Sequence, residues 1–293
     1  MSLGELERHV GHAWLTFQHG HYAQLVRTLP ELLDAAQRRH AIEPEQGAEL
    51  LVHVYRITAS LLVKLDEADL AWLVADRAMT VAAGDQVRAA SVVVQLGQAL
   101  RALLRNQLAL TTTIAAADRI ASAGRLQLGS EERSVCGALL LQAAHAAAGC
   151  GDQHRVQELL DRATEAAERI SDDPNRHQIS FGPVAVALTE VVTAAELGDI
   201  GGAVRLHEKA IGHEQWQRLP AEYRAAYLVD VARAYLQVGD VGAAGRLLVK
   251  ADRVAAAEVR YRPAVRTVLA AAYRSGAAPN GLTRLAAAVG VGR

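Results

Sequence analysis

The sequence predicts an all-α chain, an array of antiparallel helix hairpins stacked side by side. Three observations lead there. First, 58 of the 293 residues are Ala and only 4% are aromatic, a composition with high helix propensity and few bulky side chains. Second, stretches of 15 to 20 residues with helical periodicity run between Pro and Gly-Asp marks, the latter at 84–85, 151–152, 198–199 and 239–240. Third, small residues recur at fixed steps. Few large side chains cannot fill one thick core, but Ala lets thin helical layers approach closely, which favours a repeat array over a globule.

Taken in order, the periodicity places helices near 4–19, 22–39, 45–65, 67–83, 86–105, 107–124, 131–149, 153–171, 182–197, 200–213, 220–238, 241–258, 262–275 and 280–289. Most neighbours are joined by a few residues, so they pair antiparallel. Gly198-Asp-Ile-Gly-Gly202 reads as one helix's C-cap and the tight start of the next, since no strand precedes it. The break at 171–182 is the longest, with Asp172-Asp173-Pro174-Asn175 in it. It is the one place where a single 1–293 domain could divide, and it reads as a surface loop or a lid.

The pairing sharpens on a grid of small residues with steps of 12 and 7. Ala232, Ala244 and Ala251 define it; Val191, Ala203, Ala210, then Ala144, Val156, Ala163, and Gly97, Ala109, Ala116 repeat it. Thr58, Ala71, Ala78 fits with one extra turn residue, and Ala13, Leu25, Leu32 keeps the steps with larger side chains. A small residue on each first helix faces one on the second where the axes come closest, and the third touches the next hairpin.

These steps resemble the tetratricopeptide repeat. The best copy runs from Tyr223 to Ala251, with Ala232, Tyr235, Gly239, Ala244, Leu248 and Ala251 on signature positions; Pro183 to Ala210 is the second. The family's Trp, Leu-Gly and terminal Pro are mostly missing, and the period is longer than the usual ~34 residues. The resemblance implies a right-handed superhelical α-solenoid of about seven such hairpins. Two segments, Tyr22 to Gln37 and Ala59 to Met79 (with Trp72 and Asp76-Arg77), are also similar to the helical C-terminal region of actinobacterial helix-turn-helix regulators of the XRE class. That likeness spans roughly residues 10–125. It implies a sensor and oligomerisation region whose DNA contacts are made only by a domain absent from this chain. Trp72 is expected to pack between repeats.

Composition excludes other classes. With 51% hydrophobic residues and a net charge of −1, the chain is neither disordered nor electrostatically drawn to nucleic acid. Its 28 Arg against 3 Lys suggest a GC-rich bacterial genome. The first ten residues carry Glu5, Glu7 and Arg8, unlike a leader, and the longest uncharged run, Ser134 to Gly151, contains Gln142 and His145. A cytoplasmic protein without a membrane role is expected, with Cys136 and Cys150 as reduced core thiols. Eleven His are present, but His207-Glu208 with His213 misses the spacing that puts two His on one helical face. No phosphate-binding or nucleophile-elbow motif occurs, so neither an enzyme nor a cofactor is expected.

The first helices of stacked hairpins line a concave groove. Side chains near the small packing residues are candidates to face it: Trp14, Phe17, His53, Arg56, Gln98, Arg101, His145, Arg233 and Gln237. Ser60 and Glu196 lie near them. Arg and Gln suit a peptide's backbone or carboxylate, and aromatics an apolar side chain, so a peptide, small-molecule or protein ligand is expected there. The same polar stripe is also what an ordinary wet helix face looks like. The competing reading is a scaffold without a small ligand, dimerising through an outer apolar face such as Leu282, Leu285 and Val289.

Overall fold

The computed structural model describes residues 1–122, 128–170, 178–274 and 281–291. Among these the chain is all-α. Six successive pairs come first: α1 (Leu3–Gln18) with α2 (Tyr22–Ile42), α3 (Pro44–Lys64) with α4 (Ala68–Val81), α5 (Gln86–Ala102) with α6 (Asn106–Ala121), α7 (Ser130–Gly149) with α8 (Gln153–Ala167), α9 (Pro183–Glu196) with α10 (Ile200–Ile211), and α11 (Ala221–Gln237) with α12 (Val241–Val254). A 3-10 turn, Glu214–Arg218, precedes α11; α13 (Ala256–Arg260), α14 (Pro263–Arg274) and α15 (Leu282–Val289) end the chain. The expected helix ends at 124, 171 and 275, the start at 280, and the loop reading of 171–177 lie outside the described residues.

The marks read from sequence have clear local causes. Gly198 has φ 91° and Asp199 then accepts the Gly202 N–H at 2.9 Å, capping α10. Asp152 and Asp240 cap α8 and α12 in the same way. In the α5–α6 turn the left-handed position falls to Leu104, φ 58° and 85% exposed. Pro30 sits inside α2, but on its exposed face, where water can reach the carbonyl that its missing N–H would have bonded.

Every grid residue except Thr58 is buried. At Gly97 a β-carbon would come within 2.8 Å of Thr113 Cγ2, so the close approach of α5 and α6 requires Gly. The pairs run antiparallel: Gln86, first in α5, donates to the Arg119 carbonyl near the end of α6 at 3.1 Å. The odd-numbered helices α1, α3, α5, α7, α9 and α11 pack side by side in sequence as one layer, and each even-numbered helix lies behind its neighbours.

The two ends of this layer meet. Helix α1 touches α11. Gly20 packs against Ala255, and Ala257 joins the apolar core of α1–α4. At the seam Lys64 Nζ contacts Glu222 at 2.8 Å and Glu258 at 2.7 Å, Arg262 contacts the other Glu258 oxygen at 2.9 Å, and the Tyr22 hydroxyl donates to Glu258. Two cations balance two carboxylates there, which is how a buried ionic group is tolerated.

Several sequence expectations are corrected. The helix expected over 241–258 breaks at Ala255, whose extended backbone (φ −151°) lets α13 turn onto the first hairpins. Leu282, Leu285 and Val289 are buried in the chain's own C-terminal core, so the apolar face invoked for a homodimer is already covered. Trp72 is 40% exposed on the outer face of α4 rather than packed between repeats. Cys136 is buried, but Cys150 is exposed at the α7 C-cap. No helix among the described residues is long and apolar enough to cross a membrane.

Candidate functional site

The inner layer borders a half-open cavity of about 400 Å³ that takes side chains from α1, α3, α5, α7, α9 and α11. Trp14, Phe17, Arg56, Gln98, Arg101, His145 and Arg233 all line it. Two further hollows continue it lengthwise. One, toward the N-terminal ends of α1, α3 and α5, shares Trp14 and Arg56 and adds His53; the other, toward the C-terminal ends of α9 and α11, shares Glu196 and Arg233 and adds Gln237. All nine side chains expected at the groove therefore border one or more of these three hollows. Arg233 and Gln237 are exposed, whereas Arg56 is only 3% exposed. Arg56 is a buried cation, not a wet helix face.

Polar contacts step around the layer from helix to helix. The Trp14 indole N–H (α1) donates to His53 Nδ1 (α3) at 3.1 Å, and Arg56 Nε (α3) donates to Gln95 Oε1 (α5) at 3.2 Å. Arg101 (α5) donates to Gln142 Oε1 (α7) at 3.0 Å. His145 Nδ1 (α7) stands 3.9 Å from Glu196 (α9), too far for a hydrogen bond, and has no other partner. On the outer face Glu158 meets Arg155 at 2.7 Å and Arg162 crosses to Asp118 at 2.6 Å.

Burial sets the protonation states. It holds His53 down to about 3, with the Arg56 charge helping, so the ring is neutral and its Nδ1 free to accept from Trp14. Burial also lowers His145, again with a nearby cation, Arg101. Arg56 is pushed down to about 10 by burial and stays charged at neutral pH; the carboxylate field that opposes this comes from Glu131. At the seam, burial would raise Glu258, but Lys64 and Arg262 outweigh it and hold it low. Burial prevails at Glu222, which is raised.

Arg56 is the most constrained member. Its guanidinium carbon lies 5.3 Å from the centre of the Trp14 ring, within cation–π range. Its only hydrogen bond among the described residues is to Gln95, and one terminal nitrogen (Nη2) is buried without a partner.

The sequence reading missed a register that would have found more of the lining. The residue two before each grid position is Arg56, Gln95, Gln142, Thr189 and Asp230 on α3, α5, α7, α9 and α11, and all five line the cavity. A polar residue recurring at one register, against small residues two places on, was the available signal. Lys64, Glu222 and Arg262 had no such signal, because they meet only where the ends join. Among the described residues no group of three His, Cys, Asp or Glu could hold a metal ion.

No family model matches this sequence, and no curated protein matches it. Among solved structures, the crystal structure of BtubC (BKLC) from P. vanneervenii is similar, with 17% identity and a TM-score of 0.52 over 83% of this chain and 94% of that one. At that identity the likeness speaks to the fold alone.

Proposed function

We propose that this chain is a ligand-binding sensor module, a tetratricopeptide-like right-handed α-solenoid whose inner face has closed around a binding cavity. The observation that carries this reading is the convergence of six inner helices on one cavity of about 400 Å³, within the ~300–1,000 Å³ typical of small-molecule sites. Its lining combines an aromatic end (Trp14, Phe17) with Arg, Gln and His. Contact between α1 and α11 favours a small molecule or short peptide over a folded protein as occupant. The likeness to helix-turn-helix regulators supports a role in transcriptional control, with DNA contacted by a domain outside this chain. Because the binding cavity and the seam between the chain ends share α3 and α11, an occupant that favours one spacing of those helices would shift the closure equilibrium by its difference in affinity for the two states.

The test compares the wild-type chain with Ala226→Phe, which fills the cavity, by native mass spectrometry of protein purified from cells and then exposed to cell extract. A small ligand retained by the wild type and lost in the variant is expected. Equal retention by both places the site elsewhere. The scaffold reading draws on Leu70, Trp72 and Leu73, exposed together on α4. If it is the right one, sedimentation gives an oligomer that Trp72→Glu dissociates.

A further inference from the structure

The cavity reading leaves the chemistry of the occupant open, and one side chain narrows it. Arg56 is buried to 3% exposure, faces the cavity, and forms no ion pair among the described residues. Its Nη2 is unpartnered, and the Trp14 ring face attracts the charge without accepting those N–H groups. A buried cation without an ion pair is costly: Arg56 feels only the field of Glu131, whereas Lys64 contacts two carboxylates and Arg262 one. A guanidinium fork with an open edge is matched by two oxygens of an oxyanion. Nearby on the wall stand Ser60, one turn along α3, and Gln98, which can donate to the same group. Phe17, Val63 and Val94 add apolar contact among the polar side chains of the wall.

We propose that Arg56 is the anchor for an oxyanion, a carboxylate or phosphate group, carried by the cavity ligand. The proposal rests on the cavity reading above and adds the ligand's charge and the place where that charge sits.

The experiment measures melting temperature in sodium chloride, sodium acetate and sodium phosphate at equal ionic strength, for wild type, Arg56→Gln, Arg56→Lys, Ala226→Phe and the surface control Arg246→Gln. General salt effects on burial act on all five alike, so the differences between variants report the site. In the wild type, acetate or phosphate at tenfold its dissociation constant raises the melting temperature by about 2 °C over chloride. Arg246→Gln keeps that shift, Arg56→Lys keeps part of it, and Arg56→Gln and Ala226→Phe lose it. The anion with the larger shift says whether the group is a carboxylate or a phosphate. Equal shifts in wild type and Arg56→Gln overturn the proposal, as does a full shift in Ala226→Phe. If Arg56→Gln responds like wild type while Ala226→Phe still loses a retained ligand, the cavity reading stands and the anion assignment falls.

Discussion

Lys64 on α3 holds Glu258 on α13 at 2.7 Å, joining one of the first hairpins to one of the last helices. The same ammonium holds Glu222 at 2.8 Å, so one cation bridges two carboxylates that would otherwise repel. Removing it leaves both acids buried. Lys64→Met is expected to cost about 3–5 kcal/mol, the usual penalty for a broken buried pair. Adding Glu222→Gln returns part of that, because the remaining carboxylate still has Arg262 and Tyr22. Urea midpoints measure the loss. Hydrogen exchange should rise first in α13 and at the facing ends of α2, α3 and α11, the elements the seam joins; uniform exchange across all helices would show that the seam is not a local closure.

Much of this fold was legible because its rules are local. The Gly-Asp turns, the helix spans and the close-approach residues all follow from neighbours within one hairpin. Closure was not legible, because it depends on how successive hairpins pack and no single hairpin encodes it. Tyr22, Lys64, Glu222 and Glu258 look like ordinary helix residues until the ends meet. The break at Ala255 was hidden for the same reason: an Ala run favours helix, and only docking of α13 onto the first hairpins overrides it. At the cavity the inner helices were identifiable, but the depth of Arg56 was not, since a polar stripe reads alike whether it faces water or a closed interior.

Acid should weaken the protein through its buried neutral histidines. His53 is held down to about 3 in the folded chain, against about 6.5 when unfolded. Above pH 6.5 it costs nothing. Below that the unfolded chain takes up a proton that the folded chain refuses, so stability falls from pH 6.5 toward 3. At pH 5 the loss from His53 is about 2 kcal/mol. His145 and His207, both lowered by burial, act in the same direction. His53→Gln keeps an acceptor for Trp14 and cannot charge, so its urea midpoint should fall less between pH 7.5 and 5. The same fall in both proteins would mean that His53 is not the buried neutral base described.

Leu104 holds the left-handed turn position that Gly20, Gly151, Gly198 and Gly239 fill in other hairpins and Asp66 fills between α3 and α4, with its side chain 85% exposed. A non-Gly residue there costs about 1–3 kcal/mol of backbone strain, while Gly costs the unfolded chain roughly 0.5–1 kcal/mol in entropy. Leu104→Gly should therefore stabilise by about 1 kcal/mol, read as a higher thermal midpoint, since no packing is lost. A lower midpoint would mean that the turn carries no strain.

Gly137 on α7 lies under the ring of Phe181, which is 1% exposed and sits just before α9. A β-carbon at Gly137 would fall 2.0 Å from Phe181 Cζ, so the ring must move. Gly137→Ala gains up to ~1 kcal/mol of helix propensity. It loses more, because Phe181 packs in the same core as Leu139, Leu140 and Ala185 and overpacking a tight core costs about 1–3 kcal/mol. Displacing the ring costs further buried contacts, so a net loss of about 1–2 kcal/mol is expected in chemical unfolding. The double variant Gly137→Ala with Phe181→Leu separates the causes: if steric conflict drives the loss, Phe181→Leu hurts less when Gly137→Ala is already present than it does in the wild type. Equal effects in both backgrounds would mean that the ring does not need the Gly, and that α7 and the segment before α9 are held together by something else.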